Sequence, residues 1–343
     1  MKAAYIMQTG PPDVIIYGEL PTPKPAQGQC LVKVAAVDVN PIDVYVRGGM
    51  LPANLTFPFI LGCDLAGTVV EVGEGVTRFK PGDRVWATNQ GFAGRPGTFA
   101  EFAAVDEEWL YPIPAGVSFE DAVAVSLVGV TAHLGLVQKA RVKPGETVLV
   151  NGGAGGVGSC VVQMAKAIGA RVIATAGSAA KAEACKQLGA DLALNYKTDD
   201  VPAAVKRFTE SGVNLWWETS REPNFDRAIG LLAPGGRMVV MAGRDARPQF
   251  PVGPFYVKDC MLIGFAMFNA SATQIKAAAD QINEWLARGQ LKARIARILH
   301  ISETALAHRI QEESTVKNTG AVSGKIVLRV WFNVRCACVR LVR

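Results

Sequence analysis

Thr147 to Lys181 reads TVLVNGGAGGVGSCVVQMAKAIGARVIATAGSAAK: an apolar run, a glycine cluster, a helix-length segment and a second apolar run. Gly153, Gly155 and Gly158 satisfy G-x-G-x-x-G between a predicted strand and a predicted helix, the context that gives the motif its meaning. The first glycine is expected to permit the tight turn. The second lets a pyrophosphate approach the backbone, and the third lets helix and strand pack closely. N–H groups at the helix start then face the phosphates, so Gly153, Ala154, Gly155, Gly156, Val157 and Gly158 form the expected cradle. A nucleoside-triphosphate loop would need Gly-Lys-Ser/Thr, and GGVGSC has no lysine. A dinucleotide is the expected ligand.

The end of the next strand says which one. An NAD site normally carries Asp or Glu about 20 residues on, to hold the ribose hydroxyls. From Ser159 to Ala182 there is no acidic residue. Gly177, Ser178 and Lys181 stand there instead. A hydroxyl and an ammonium hold a 2′-phosphate that a carboxylate would repel. The expected cofactor is NADP(H).

Metal chemistry lacks its ligands. A zinc site needs Cys or His side chains in sets, yet His133, His300 and His308 all fall after the first β-rich stretch, where Cys30 and Cys63 are the thiols. Cys63, in ILGCDLAGTV, reads as a small buried residue. Ser159 lies in the helix start rather than in G-x-S-x-G, so no nucleophile triad is expected. What remains is hydride transfer without metal, which suits electron-poor acceptors such as quinones or activated alkenes.

Two kinds of chain must position these groups. Up to about Asp121, short predicted strands (KAAYIM, CLVKVAAVDV, LAGTVVEVG, DRVWAT, FAEFAAV) are broken by pieces such as KPAQGQ and FKPGD, a barrel-like all-β pattern. From Ala122 the rhythm is strand, helix, strand. VLV, RVIAT and RMVVMA look buried on both faces, as in a parallel sheet covered by helices. After MLIGFAM come an amphipathic helix (SATQIKAAADQINEWLARGQL), a helix near Ser302 and a last strand, GKIVLRV. The expected division is 1–121, 122–267 as the dinucleotide domain, 268–330 returning to the first domain, and a tail, 331–343. That tail, with Cys336 and Cys338, is expected to be an appendage the fold does not need.

Composition narrows the class. With 343 residues, half of them apolar, the chain suits two domains, and no 18-residue apolar span free of polar breaks is evident. A net charge of +6 with dispersed Lys and Arg makes neither a nucleic-acid surface nor a membrane partner expected. Seven scattered cysteines read as reduced thiols in a cytoplasmic protein.

The segments VNPIDVYVRGG, PFILGCDLAGTVVEVGEGVTRFKPGDRV, GTFAEF, GVTAHLGL, VLVNGGAGGVG, ATAGSAAK, LNY and GKIVLRV together resemble one family. It is the zinc-free, zeta-crystallin-like quinone oxidoreductase group of the medium-chain dehydrogenase/reductase superfamily, matched over about residues 1–330. The resemblance implies an α/β chain, a GroES-like β-barrel domain plus a Rossmann domain with a doubly wound parallel sheet. It implies that Asn40, Asp43, Tyr45 and Thr131 serve the acceptor or nicotinamide. It also implies that Ser178, Lys181 and Tyr196 surround the 2′-phosphate, and that Ala242, Gly243, Phe265, Ala266 and Met267 complete the cofactor contacts. Members pair through the last Rossmann strand, here near Met261 to Met267, as homodimers or homotetramers. The leading expectation is an NADPH-dependent quinone reductase. The alternatives are an NADPH-dependent enone or enal reductase and a low-turnover, NADPH-binding structural or RNA-binding protein of the crystallin type.

Overall fold

A computed structural model describes residues 1–51, 55–317 and 319–331. The chain begins with β1 (Lys2–Ile6), β2 (Ile16–Glu19), β3 (Gln29–Val39), α1 (Pro41–Arg47), β4 (Phe59–Ile60) and β5 (Leu65–Val72). There follow β6 (Arg84–Ala87), β7 (Phe102–Asp106), β8 (Leu110–Pro112), α2 (Phe119–Ala124) and α3 (Ser126–His133). Strand and helix then alternate through β9 (Thr147–Asn151), α4 (Gly156–Ile168), β10 (Arg171–Ala176), α5 (Ala179–Gln187), β11 (Leu192–Asn195) and α6 (Val201–Phe208). The alternation ends with β12 (Val213–Glu218), α7 (Phe225–Leu231), β13 (Leu232–Val240), α8 (Val252–Val257) and β14 (Met261–Gly264). Last come α9 (Ala272–Ala287), β15 (Ile295–His300), α10 (Thr304–Thr315) and β16 (Lys325–Arg329).

Two compact units result. One holds Met1–Ile113, Ser118–Ser126 and the chain from Ile295 on; the other holds Pro114–Val117 and Leu127–Arg294. The first is β-rich, with strand order β15-β16-β3-β5-β6-β8, β7 added on β3, and a small sheet β2-β1-β4. β16 runs antiparallel to β3 with Val327 opposite Asp38 and Ile326 opposite Val39. Lys325, at the start of β16, is thereby carried to the end of β3.

In the second unit the order is β11-β10-β9-β12-β13-β14, every neighbouring pair parallel. Val148, Leu149, Val150, Val172, Ile173, Leu215 and Val239 are fully buried, as strands covered on both faces must be. Four of this unit's helices start where a short polar side chain accepts a first-turn N–H: Ser178 for α5, Asp200 for α6, Asn224 for α7 and Ser271 for α9. Strand order reverses between β9 and β12, so the open carboxyl ends there form the switch point where such sheets bind ligands.

The boundaries differ from the sequence reading: the first unit runs to Ser126 rather than to 121, with Pro114–Val117 belonging to the second. The return to the first unit begins at Ile295 rather than at residue 268, because α9 is held inside the second unit. There Gln138 donates to Gln274 O, 3.1 Å, His133 meets Gln281, 2.6 Å, and Ile275, Ala278 and Ile282 are fully buried. Trp331, placed in the tail by the sequence reading, is packed on the first unit, and 332–343 lie outside the described residues. Trp331 donates to Val34 O, 2.7 Å, packs edge-on against Phe102 and takes the Lys33 ammonium over its ring. Cys336 and Cys338 lie outside the described residues. Helices α1, α2, α3 and α8 and strands β2, β4, β8 and β15 are absent from the sequence reading. Among the described residues no helix is long and apolar enough to cross a membrane.

Candidate functional site

The glycine cluster sits at the end of β9. Gly152 has a φ of +85°, so the left-handed turn falls one residue before Gly153, the glycine expected to make it. Gly153 is small for another reason. A Cβ there would stand 2.8 Å from Ala174 Cβ and 3.2 Å from Cys185 Sγ, both behind the loop. Gly158 likewise packs on the turn rather than on a strand: its Cβ would lie 2.9 Å from the Gly152 carbonyl carbon and nearer still to the oxygen. At Gly155, the residue that caps α4, the nearest atom to an added Cβ is Gly152 O at 3.4 Å. Gly155 therefore borders open space at a 13-residue helix's N-terminus, whose first N–H groups have no intrahelical acceptor. These residues fit a dinucleotide pyrophosphate. The opening lies where phosphate oxygens would approach, and no carboxylate stands in the first turn of α4.

The next strand end supplies a second cluster. Ala176, last in β10, pairs with Asn195, last in β11, which sets Gly177 and Ser178 beside Tyr196. A Cβ on Gly177 would meet the Tyr196 hydroxyl at 2.6 Å, so only glycine lets that exposed ring lie there. Ser178 Oγ accepts from Lys181 N, 3.3 Å, which leaves its O–H to donate outward. Asp199 turns its carboxylate back onto Asn195 N, 2.8 Å. Gly177, Ser178, Lys181 and Tyr196 are thus together.

The remaining second-unit candidates occupy other places. Gly243, with φ +81°, packs on the Arg221 backbone, and Ala242 precedes it after β13. Phe265 stacks edge-on to Trp217, 6.3 Å between centroids. A cavity of about 180 Å³ is bordered by Gln138, Phe265, Ala266, Asn269 and Gln274. Ala266 is exposed, whereas Met267 is buried and has only backbone to offer a ligand. Thr131 is buried in α3 and donates to Leu127 O, 2.8 Å.

Asn40, Asp43 and Tyr45 belong to the first unit. Asn40 is fully buried and its amide is engaged at both atoms. Nδ2 donates to Asp64, 2.9 Å, and to Asp38, 3.3 Å, while Oδ1 accepts from Lys325. Lys325 also donates to Val39 O, 3.1 Å, and pairs with Asp38, 2.9 Å. Asp43 closes the first turn of α1 by accepting from Asn40 N, 2.7 Å. Burial pushes its carboxyl up to about 7, against the pull of that N–H and of the Cys63 thiol. Burial also drives Asp64 well up, with Asp38 adding to it and Lys325 offsetting. Burial raises Cys63, and Asp43 and Asp64 add to it. Burial thus favours the neutral carboxyl at Asp43 and Asp64, and the Lys325 ammonium works against it at both. Tyr45 is half-buried on α1.

The sequence reading missed Asp38 and Lys325 and passed over Asp64. The signal was faint: an acid in the apolar strand CLVKVAAVDV and a lysine opening GKIVLRV. Only the β16–β3 register turns the two into a pair.

Metal ligation finds no donor set here. His133 is bonded to Gln281, His300 to Ser302 and His308 is buried against Phe99. Among the described residues no group of three or more His, Cys, Asp or Glu side chains is arranged to hold a metal ion.

Comparison with known proteins agrees with this architecture. Residues 26–115 match the alcohol dehydrogenase GroES-like domain, and residues 156–284 match the domain described as zinc-binding dehydrogenase. The chain is 31% identical to a quinone oxidoreductase of Rattus norvegicus over 330 residues, 96% of this chain and 97% of that one. Among solved structures, an NAD-dependent alcohol dehydrogenase superposes with a TM-score of 0.87 at 33% identity, covering 96% of this chain and all of the other. The Escherichia coli quinone oxidoreductase complexed with NADPH superposes with a TM-score of 0.82 at 27% identity, with the same coverage. The protein is an oxidoreductase-type chain that belongs to the quinone oxidoreductase group of the medium-chain dehydrogenase/reductase superfamily.

Proposed function

We propose that the protein is an NADPH-dependent quinone oxidoreductase that transfers hydride without metal. The observation that carries the cofactor half is the grouping of Gly177, Ser178, Lys181 and Tyr196 at the ends of β10 and β11, with no acid from Ser159 to Ala182. The acceptor half is supported by the quinone oxidoreductases the chain resembles.

In this reading Gly155 and the start of α4 take the pyrophosphate, and Ser178 O–H and the Lys181 ammonium take the 2′-phosphate. The bound cofactor supplies a hydride, which with one proton turns a quinone into its hydroquinone. We assign Tyr45 and Thr131 to the acceptor or nicotinamide. Asn40 and Asp43, buried as they are, shape the start of the helix that bears Tyr45. Reduction of an enone or enal is the second reading, favoured by the same cofactor contacts. A panel of ortho- and para-quinones against enones and enals, with NADPH, separates the two.

We also assign a homodimer or homotetramer. β14 is a sheet edge, and Met261, Leu262, Val252, Tyr256 and Val257 are all exposed large apolar side chains on or near it. Sedimentation of the wild type and of Met261→Lys tests it; a monomeric wild type refutes it.

Cofactor choice is tested with dissociation constants for NADPH and NADH. A charge-assisted bond to phosphate contributes about 1.5–3 kcal/mol. Lys181→Ala should therefore raise the NADPH Kd roughly ten- to hundredfold and leave NADH nearly unchanged. Ser178→Asp should go further by repelling the phosphate. A wild type that prefers NADH, or a Lys181→Ala that weakens both equally, refutes the NADP assignment. One structural relative is described as NAD-dependent, which makes that outcome a concrete rival.

A further inference from the structure

Beneath the glycine loop lies a buried carboxylate that the proposed chemistry does not use. Glu218, last in β12, is 1% exposed. Its Oε1 accepts from Asn151 Nδ2, 2.7 Å, and from Ser220 N, 2.7 Å, and its Oε2 accepts from Trp216 Nε1, 3.0 Å. The Thr219 backbone N–H also points at it. Asn151 is the residue directly before Gly152. With its amide nitrogen committed to Glu218, its Oδ1 faces the Thr175 hydroxyl and accepts from it, 2.7 Å. Thr175 in turn uses its carbonyl to accept from Gly152 N, 3.1 Å, and Gly153 N, 2.9 Å. Thr219 Oγ1 donates to Asn151 O, 2.6 Å.

The ends of β9, β10 and β12 are therefore tied in one direction: Thr175 donates to Asn151, and Asn151 donates to Glu218. The chain of donors needs a terminal group that only accepts. A carboxylate does so at both oxygens, whereas an amide must present an NH₂ to at least one of these donors. A negative group here runs against the needs of a phosphate site, so its retention under the loop calls for a reason other than ligand charge. Burial pushes Glu218 up, and the surrounding donors oppose that rise.

We infer that Glu218 is a positioning residue for the cofactor loop: by orienting the Asn151 amide it sets the Gly152–Gly153 turn on which dinucleotide affinity depends. The inference rests on the dinucleotide reading above. Glu218 acts through the loop's geometry and not by touching the cofactor.

The test is a reciprocal swap, read in three ways. Glu218→Gln keeps the volume but sets a donor against a donor, and Asn151→Asp sets carboxylate against carboxylate. The double variant Glu218→Gln/Asn151→Asp restores an amide–carboxylate pair with its polarity reversed. Each folded protein is measured for Tm, for NADPH Kd by calorimetry at 20 °C, and for deuterium exchange in the peptide spanning residues 150–158 without cofactor. The expected result is a five- to twentyfold higher Kd and faster exchange for each single variant at a temperature where it is fully folded, with both partly restored in the double variant. Unchanged Kd and exchange in the folded single variants, with only Tm lowered, would overturn it and leave Glu218 a purely structural group. If the wild type binds no dinucleotide, the dinucleotide reading fails and with it the affinity part of the inference. Exchange in residues 150–158 then still decides whether Glu218 sets the turn.

Discussion

Two glycines of one motif should fail in different ways when replaced. At Gly155 an added Cβ has nothing nearer than Gly152 O at 3.4 Å, ordinary contact, and its extended backbone suits any residue. The cost of Gly155→Val to the fold is then mainly its poorer capping of α4, about 1 kcal/mol or less. In a unit of this size that lowers Tm by roughly 2–4 °C. The branched side chain, however, fills the opening through which a pyrophosphate would reach the helix start. We expect a loss of at least tenfold in NADPH affinity, about 1.4 kcal/mol. At Gly158 a Cβ would press on the Gly152 carbonyl, carbon at 2.9 Å and oxygen closer, and neither is a flexible side chain that could swing away. Overpacking of that kind costs about 1–3 kcal/mol, so Gly158→Ala should lower Tm by roughly 2–12 °C. Thermal denaturation by circular dichroism and calorimetric titration with NADPH, on both variants, separate the two. A Gly155→Val protein that binds NADPH like the wild type would refute the cradle. A Gly158→Ala protein with an unchanged Tm would refute the close packing of α4 on the turn.

Other expectations follow from the buried charges. Lys325→Met removes the ammonium facing Asp38, Asn40 and Val39 O, and breaking a buried pair from one side costs about 3–5 kcal/mol, to be read from urea unfolding. Asp43 is held neutral up to about pH 7 in the fold against an ordinary value near 4, so the native state binds the extra proton. Its contribution should fall as pH rises from about 4 to 7, and Asp43→Asn should flatten that part of the stability profile. His308 has the opposite sign. Burial, with the Arg47 charge adding to it, pushes it down to about 3, and among the described residues neither ring nitrogen has a hydrogen-bond partner. The unfolded chain takes that proton first, so stability should drop as pH falls below about 6.5, and His308→Leu should lessen the drop.

What the sequence determined by itself is whatever rests on local pattern. The apolar runs VLV, RVIAT and RMVVMA, with glycine turns and capping residues such as Ser178 and Asn224 between them, are enough to specify strand–helix repeats buried on both faces. The glycine spacing after the first of these strands and the absence of an acid after the second are equally local, and both are readable without coordinates. The short helices α1 and α8 are not readable in that way. PIDVYVR and VGPFYV are too short for a periodic signal, and α1 depends on Asn40 and Asp43 closing its first turn.

Tertiary structure decided whatever depends on residues far apart in the chain. Asp38 and Lys325 are separated by 287 positions and meet only because β16 pairs with β3 in a particular register. Asn151 lies 24 positions from Thr175 and 67 from Glu218, and the three meet because β10, β9 and β12 lie side by side in the sheet. The left-handed residue of the turn is Gly152 rather than Gly153 because Thr175 O fixes both amides and Ala174 and Cys185 crowd the second glycine from behind. Periodicity reports which face of an element is buried. It does not report which polar group waits on the other side, since that is settled by strand order and register, and these are properties of the whole sheet.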